Sequence, residues 1–325
     1  MKDIDLEKFQ NVSFGKNVKI KSNSAVIKNG AKIGDNVTIE SQRIEIGFDT
    51  IIEEGTFVKS IHGDMTDFLI GDNCLIGSNN RFLLPYFSMK DYSQLYNSCL
   101  CSGYKPLTIG YNCWIGQGAI LNSFENLIIG NNVRMGGSQI WTHVASGELL
   151  EGSNFYSAKP VVIKDDVWLM GFGHLISPGV TIAEKSVIMA GSVVTKDTKP
   201  MRTYSGIPAV DISEKLPAWK SMTLKDKIEL IKQFIKDFQD NFLSFAKNIH
   251  FLEETDKDKK IMELNQLYEP QVLVVDQIEL SLYQNTKLSI FDLSTKRYLK
   301  RRTPIEIAWI RSNNGYKARF IPWEA

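Results

Sequence analysis

The sequence has almost no excess charge of either sign, with 38 Lys and Arg against 37 Asp and Glu and a formal net charge of +1. A chain this close to neutral offers no electrostatic reason to bind nucleic acid or a charged membrane surface. It also lacks an apolar run long enough to span a bilayer. Its N-terminal residues are too acidic and too interrupted for a signal peptide. We therefore expect neither a membrane span nor a nucleic-acid partner.

Cysteine and histidine are both scarce, with four residues of each type. Cys74, Cys99, Cys101 and Cys113 show neither a zinc-binding nor a secretory spacing, and Cys99-x-Cys101 is one residue short of a CxxC redox motif. We expect four reduced thiols in a cytoplasmic protein. The length of 325 residues suits one large domain or two ordinary ones.

A six-residue repeat dominates the first two-thirds of the chain. Each unit begins with an aliphatic residue, often followed by Gly, and then carries polar or small residues and a small or β-branched residue. The units lie at 33–38, 46–51, 70–75, 76–81, 109–114, 115–120, 129–134, 163–168, 182–187 and 188–193. A sustained short repeat is the sequence signature of a solenoid, in which each coil buries its core against the next.

The physics of the unit favours a parallel β-helix with three short strands per coil. One aliphatic residue every six positions points inward, and Gly, Asn and Asp near each corner tolerate a positive φ. The alternative is a β-sandwich with Gly-rich turns. A sandwich would alternate with a period of two and turn at intervals of about 8–12 residues, so the observed period argues against it.

These units resemble those of the hexapeptide-repeat acyltransferase superfamily. The match covers residues 12–212. It is most specific at 163–168, 177–182, 190–197 and 205–209, which follow one another as in bacterial sugar O-acetyltransferases and xenobiotic acetyltransferases. Two residues depart from the pattern, since Lys164 and Met170 stand where the family usually has Gly. The resemblance implies a mainly β fold, a left-handed parallel β-helix over residues 1–212, with acetyl-CoA as acyl donor, a homotrimer and no metal.

The repeat is interrupted at about 59–68, 83–107 and 143–160. All three interruptions fall in the third unit of a coil, so we expect three loops on one side of the solenoid, where loops often carry function. The second is too aromatic for a disordered segment. The resemblance implies that such loops reach a neighbouring subunit and that the active site lies in the cleft between two β-helices.

Acetyl transfer to a hydroxyl or an amine needs a base near neutral pKa, and histidine is the usual choice. His143 follows a late coil and precedes an extended loop, a setting similar to that of the catalytic His of the family. We expect His143 to be the base. The alternatives are a loop histidine without a role at this position, or His62 as the base.

We expect the acceptor to contact three residues near the same side. His62 leaves the solenoid several coils earlier and is a candidate acceptor contact. Ser123 is placed by the repeat at the position equivalent to His143 in the preceding coil, where it contacts the acceptor or merely fills a corner. Its neighbour Asn122 is a further candidate contact.

The family binds the pantetheine arm of CoA in a groove beside the C-terminal coils. The resemblance implies that Gly171, Gly173, Ala190 and Gly191 keep this wall low, so that backbone amides approach the arm. Lys196 is a candidate partner of the CoA phosphates, or alternatively a plain solvated residue.

After residue 212 the repeat ends, and residues 213–325 predict a small α+β appendage. Apolar residues at helical spacing predict an amphipathic helix over 225–249. Strands are predicted at 272–275, 287–293, 305–310 and 318–322. This part carries no catalytic motif that we recognise.

Taken together, the resemblance implies an acetyl-CoA-dependent acetyltransferase acting on a sugar hydroxyl, in the synthesis of a bacterial surface polysaccharide. N-acetylation of a nucleotide-linked amino sugar is the alternative. A non-catalytic β-helix that binds or scaffolds is an alternative of another class. Hexapeptide proteins of the carbonic anhydrase type need zinc-binding histidines, and their His-x4-His spacing is absent here.

Overall fold

The structure, a computed structural model, describes residues 1–253 and 257–324. The chain divides into two compact units, Met1–Trp219 and Lys220–Ala325. The division lies beyond residue 212, where the repeat ends, because Nε1 of Trp219 still donates to the carbonyl oxygen of Lys185 at 2.6 Å. Among the described residues, no helix combines the length and apolarity needed to cross a membrane.

The first unit is a three-sided solenoid whose sides are three largely parallel sheets. Sheet 1 contains Lys2–Asp3, Lys19–Ser22, Thr38–Glu40, Phe57–Val58, Arg81–Leu83, Leu100–Gly103, Ile120–Ser123, Gln139–Ile140, Leu175–Ile176 and Val193–Val194. Sheet 2 contains Ser24–Ile27, Arg43–Ile46, Asp67–Ile70, Tyr86–Met89, Leu107–Ile109, Leu127–Ile129, Val161–Ile163 and Thr181–Ile182. Sheet 3 contains Ser13–Phe14, Lys32–Ile33, Ile51–Ile52, Leu75–Ile76, Gln94–Leu95, Trp114–Ile115, Arg134–Met135, Trp168–Leu169, Val187–Ile188, Thr203–Gly206 and Ala209–Asp211. This is the left-handed parallel β-helix that the repeat predicts.

The repeating aliphatic residue forms a continuous stack inside the solenoid. In sheet 3 the inward residues pair in register from coil to coil, as in Ile52 with Ile76 and Leu95 with Ile115. These four side chains have no exposed surface. Burying each such side chain contributes about 1.5–3 kcal/mol, so the stack is the main source of stability in this unit.

The backbone conformation at the corners explains the polar positions of the repeat. The fourth residue of several units adopts a positive φ, as Asn36 does at 57° and Asn112 at 56°, a conformation that Asn tolerates better than most residues. The Gly at the second position faces the next coil. A Cβ on Gly34 would lie 2.6 Å from the backbone nitrogen of Glu54, so a larger residue there would push two coils apart.

The predicted loop at 83–107 is wrong, because this segment forms a complete coil. Tyr86–Met89, Gln94–Leu95 and Leu100–Gly103 add one strand to each of the three sheets. Phe87 and Met89 fill the interior positions in place of the usual aliphatic residues. The interior volume is thereby filled without the Ile-Gly signature, which concealed the coil in the sequence.

The other two interruptions do protrude, and both leave the edge between sheets 1 and 2. One is the turn that joins Phe57–Val58 to Asp67–Ile70. The other contains an antiparallel hairpin of His143–Ser146 and Phe155–Ala158. The prediction that these loops share one side is therefore confirmed for these two segments.

The second unit is an α+β domain with three α-helices, two short 3-10 helices (Leu243–Phe245 and Leu280–Tyr283) and one mixed sheet among its described residues. The α-helices are Leu224–Asn241, Lys257–Gln266 and Pro304–Asn313. The sheet runs in the order Ile249–Leu252, Val272–Val275, Ser289–Asp292, Arg297–Tyr298 and Ile321–Pro322. The first three strands are parallel.

Two predictions for this unit are corrected. The strand expected at 305–310 is part of the helix Pro304–Asn313. Thr303 caps this helix by accepting a hydrogen bond from the Glu306 backbone, and Pro304 occupies its first turn, a start signal that the apolar run obscured. The helix predicted over 225–249 ends at Asn241.

Candidate active site

The predicted base His143 lies at the edge between sheets 1 and 2. The strand Gln139–Ile140 pairs in register with Ile120 and Leu121 of the preceding coil. Extended by three residues, this register places His143 level with Phe124. The imidazole stacks on the Phe124 ring at 4.5 Å between centroids and an angle of 26°, so its plane is fixed by a neighbour from the preceding coil.

Asn122 fixes the tautomer of His143. Nδ1 of the histidine lies 2.9 Å from Oδ1 of Asn122. The same Oδ1 accepts from the backbone N–H of Phe124, and Nδ2 of Asn122 donates to the carbonyl oxygen of Ser102. These backbone contacts orient the amide with its oxygen toward the imidazole. Because an amide oxygen only accepts, Nδ1 of His143 carries the hydrogen and Nε2 keeps its lone pair.

Thr142 ties the two turns together beneath the histidine. Its hydroxyl donates to the carbonyl oxygen of Asn122 at 3.1 Å and accepts from the backbone N–H of Glu125 at 3.0 Å. Thr142 has no exposed surface. The pair Asn122 and His143 is therefore mounted on a rigid corner, as a catalytic group requires.

The structure does not bring Ser123 to the surface. Its side chain has no exposed area, and its hydroxyl finds no hydrogen-bond partner among the described residues. The register places Ser123 level with Thr142 rather than with His143. The expected acceptor contact is therefore corrected, since Ser123 fills the interior of its corner.

His62 projects from the turn after Phe57–Val58 and belongs to a row of rings along this edge. It stacks on Tyr104 at 4.3 Å between centroids. Tyr104 meets Phe124 edge to face at 5.1 Å, and Phe124 stacks on His143. We call His62, Tyr104, Phe124 and His143 the ring row. Sequence reasoning missed Tyr104 and Phe124, although the intervals 104–124 and 124–143 each equal about one coil and were a usable signal.

The glycines predicted to line the CoA groove come together at a different edge, between sheets 3 and 1. Gly171, Gly173 and Gly191 have φ values of 78°, 80° and 68° and occupy exposed turns of two adjacent coils. A Cβ on Gly171 would lie 3.0 Å from the Cβ of Ala190. Apart from Gly191 itself and its two chain neighbours, no described atom lies within 4 Å of a Cβ built at this position. This corner is low and open.

Lys196 is not part of that corner. It is exposed and follows Val193–Val194, the last strand of sheet 1, so it lies toward the opposite edge. Met170, one of the two departures from the family pattern, is 47% exposed beside Gly171. The structure thus groups four of the five predicted CoA residues and separates the fifth.

His174 is a core residue. It is 1% exposed, and its Nδ1 lies 3.0 Å from the hydroxyl of Ser138, which itself donates to the carbonyl oxygen of Gly136. Burial lowers the pKa of His174 below its usual value of 6.5. Of the two roles that its place in the repeat allows, structural residue or CoA contact, this burial favours the structural one.

Within residues 1–253 and 257–324, no three His, Cys, Asp or Glu side chains cluster in a way that would hold a metal ion. The four cysteines are buried thiols of the first unit, and burial raises the pKa of Cys99 to about 11.

Comparison with known proteins supports the repeat. A family model described as the hexapeptide repeat of succinyl-transferase matches residues 69–79. The galactoside O-acetyltransferase of Escherichia coli is 39% identical over 90 residues, which are 28% of this chain and 42% of that protein. The galactoside O-acetyltransferase of Lactococcus lactis is 31% identical over 144 residues, which are 43% of this chain and 60% of that protein. The chain spans about half the length of these curated relatives.

Among solved structures, a maltose O-acetyltransferase from Clostridium difficile is 36% identical, with a TM-score of 0.30, over 33% of this chain and 57% of that chain. The matched repeat and the curated relatives agree with the stacked aliphatic residues and the positive-φ corners of the first unit. They confirm that this chain resembles the hexapeptide-repeat acyltransferase superfamily.

Proposed function

We propose that this protein is an acetyl-CoA-dependent acetyltransferase that acetylates a sugar hydroxyl. The observation that carries the proposal is the hydrogen bond from Nδ1 of His143 to Asn122, which leaves Nε2 available as a base on a rigid corner. The two galactoside O-acetyltransferases among its relatives support sugar hydroxyls as the acceptor class.

The chemistry needs one proton transfer in each direction. Nε2 of His143 takes the proton of the acceptor hydroxyl as the oxygen attacks the thioester carbonyl. The resulting tetrahedral intermediate collapses, the C–S bond breaks, and the imidazolium returns the proton to the leaving thiolate of CoA. Asn122 holds the imidazole while its charge changes, so the imidazole need not reorient during the reaction.

The donor site follows from the open corner at Gly171, Gly173, Ala190 and Gly191. Glycine there leaves backbone amides accessible to the amide groups of a pantetheine arm. This corner and His143 lie at opposite ends of the sheet 1 strands. In the coil of His143, Gly136 and Gly137 lie at the same edge as this corner, and the strand Gln139–Ile140 separates them from the His143 turn.

His143 and the glycine corner lie close together if they belong to two different chains. We therefore propose a homotrimer in which His143 of one subunit faces the glycine corner of its neighbour. The hairpin that begins at His143 supports it. Its tip carries Leu149, Leu150 and Phe155, which are 72%, 86% and 66% exposed in a single chain. Exposed apolar residues grouped in this way are typical of protein–protein contacts.

We place the enzyme in the cytoplasm, in the synthesis of a bacterial surface polysaccharide. Four buried thiols suit a reducing compartment. His62 is the proposed acceptor contact, whereas the buried Asn122, first expected to touch the acceptor, acts through His143. Lys196 remains a proposed contact of the CoA phosphates. No metal takes part in this scheme.

The test measures thiol release from acetyl-CoA with a panel of sugars and nucleotide-linked amino sugars, and identifies the acetylated atom by NMR. Transfer to a hydroxyl supports the proposal, whereas transfer to an amino group would support the N-acetyltransferase alternative. A chain that neither binds CoA by calorimetry nor gains thermal stability from it would be a non-catalytic β-helix.

A mixing experiment tests the shared site. His143→Ala and Gly191→Phe homotrimers are each expected to be nearly inactive. After unfolding and refolding together, mixed trimers regain activity if one subunit supplies the base and another the glycine corner. Absence of recovery, with trimers verified by light scattering, would place both groups in one chain.

A further inference from the structure

The ring row lies outside the core and is not needed to fill it. The interior of the solenoid has its own aromatic cluster of Phe68, Phe82 and Phe87, all without exposed surface. Tyr104, by contrast, is 49% exposed, although His62 covers one face of its ring. The protein thus keeps aromatic surface in solvent along one edge of the β-helix.

Exposure falls along the row in the direction of the base. His62 is exposed, Tyr104 is half exposed, and Phe124 and His143 are partly buried. Tyr104, Phe124 and His143 come from successive turns of one edge, whereas His62 reaches Tyr104 from the turn two coils earlier. The centroids of neighbouring rings lie 4.3, 5.1 and 4.5 Å apart. The row therefore forms a line from solvent to the reacting group.

The row contains two stacked pairs set nearly at right angles. The rings of Tyr104 and Phe124 meet at 83°, so the second pair does not continue the stack of the first. Ring surface remains exposed at Tyr104 and His62, and in part at Phe124. The hydroxyl of Tyr104 and the imidazole of His62 add polar groups to this apolar surface.

Such a surface matches the chemistry of a glycan. A sugar ring presents C–H groups on its faces and hydroxyls on its rim, so it packs on aromatic surface while it hydrogen-bonds to nearby polar atoms. The spacing of the rings is comparable to the length of one sugar unit. A single sugar at His143 would leave the outer rings unused.

We propose that the ring row binds an acceptor longer than one sugar, with the acetylated unit at His143 and further units over Phe124, Tyr104 and His62. This inference rests on the proposed acetyltransferase function and adds to it that the acceptor is an oligosaccharide or a polysaccharide. Tyr104 and His62 then determine specificity for acceptor length and take no part in the proton transfer.

The test compares acceptors that differ in length alone. The kcat/KM for acetyl transfer is measured with the mono- to tetrasaccharides of the malto-, cello- and chito-oligosaccharide series. Each aromatic ring contributes about two- to tenfold to kcat/KM if its contact resembles other aromatic contacts. In the wild type we expect kcat/KM to rise with length in at least one series.

Tyr104→Ala and His62→Ala should each abolish this rise. Tyr104→Ala should in addition leave kcat/KM for the monosaccharide within about twofold, since a monosaccharide at His143 does not reach Tyr104. Trp114→Ala is the matched control, because Trp114 is also a partly exposed ring of the β-helix but lies on sheet 3, in contact with Tyr96. It should keep the full dependence on length. Tyr104→Leu, which retains apolar bulk without a ring, guards against a general loss of stability.

Saturation-transfer NMR with the same sugars measures acceptor binding directly. Its result therefore tests the ring row independently of the proposed acetyl transfer. Magnetisation transferred to sugar protons in the wild type and lost in Tyr104→Ala supports the ring row even without turnover. The proposal is overturned if no series shows transfer in the wild type. It is also overturned if the dependence on length is absent or survives in both variants.

Discussion

Asn122 accepts a hydrogen bond from Nδ1 of His143 at 2.9 Å, and the amide that does so is itself held by backbone groups of Phe124 and Ser102. The imidazole is thus oriented by a side chain of the preceding coil, and backbone groups of that coil and of the coil before it hold this side chain in place. This relationship leaves Nε2 as the nitrogen that serves the proposed reaction as base, and it makes the geometry of the histidine depend on the stacking of the solenoid.

His143→Ala should lower kcat by roughly 10²–10⁴-fold, the usual contribution of a general base. Binding of acetyl-CoA, measured by calorimetry, should change little, because the base acts mainly in the transition state. The pH–rate profile of the wild type should rise through one ionisation, and the variant should lose that limb. Near-normal turnover in this variant, with collapse in His62→Ala, would move the active site toward the N-terminus.

Asn122→Asp should shift the rising limb of the kcat/KM profile to higher pH. A carboxylate at this position stabilises the imidazolium, so a smaller fraction of the enzyme carries the free base at neutral pH. Asn122→Ala should lower kcat without that shift, since it removes the orienting group and adds no charge. Unchanged profiles in both variants would exclude Asn122 as the positioning residue.

Gly191→Phe should weaken CoA binding without unfolding the β-helix. Apart from the glycine and its chain neighbours, no described atom lies within 4 Å of a Cβ at this position. The expected loss of stability is therefore the backbone strain of a side chain at a φ of 68°. Gly118→Phe is the matched control, since its φ is 69° and its surroundings are equally open. The stabilisation by CoA in a thermal melt should disappear in the first variant and persist in the second. Equal responses would show that CoA binds elsewhere.

The buried His174 should make stability depend on pH. Its pKa is lowered in the folded state, so the unfolded chain binds the proton more readily. The contribution to the free energy of unfolding is therefore complete above the usual value of 6.5 and is lost as the pH falls below it. Urea unfolding at several pH values gives the free energy of unfolding as a function of pH. This free energy should change less with pH in His174→Gln than in the wild type. An equal dependence on pH in both proteins would contradict this assignment.

A chain ending at residue 219 should fold as a soluble β-helix, since the core of the repeat is complete within this unit. A chain ending at residue 212 should melt at lower temperature, because it loses the bond from Trp219 to Lys185. In the full chain, Trp219→Phe, which keeps a ring but removes the donor, should reproduce part of that loss. Insolubility of the longer fragment would show that Lys220–Ala325 is needed to protect the solenoid.

Much of the fold could be predicted because the repeat is local. An aliphatic residue at every sixth position indicates the inward stack. Asn at the fourth position of a unit indicates a corner, as at Asn36 and Asn112. The pattern failed where the interior tolerated other shapes. Phe87 and Met89 fill a complete coil at which the pattern predicted a loop, because a core selects for volume rather than for one residue.

The second unit shows the limit of apolar patterns. The apolar run at 305–310 is compatible with a strand or a helix. It forms a helix because Thr303 caps the segment and Pro304 occupies its first turn. Periodicity alone does not separate the two structures over so short a segment.

By itself the sequence determined the solenoid and the edge from which two loops leave, and it singled out His143 as the candidate base. The tertiary structure decided what surrounds that base. Ser123 turned inward, whereas Asn122 reached the imidazole, and Tyr104 and Phe124 joined His62 and His143 in one row. Those contacts join residues about one coil or more apart in the chain, and they exist because stacking brings equivalent corners within a strand spacing of about 4.8 Å. No local pattern records which of two neighbouring side chains points out at such a corner.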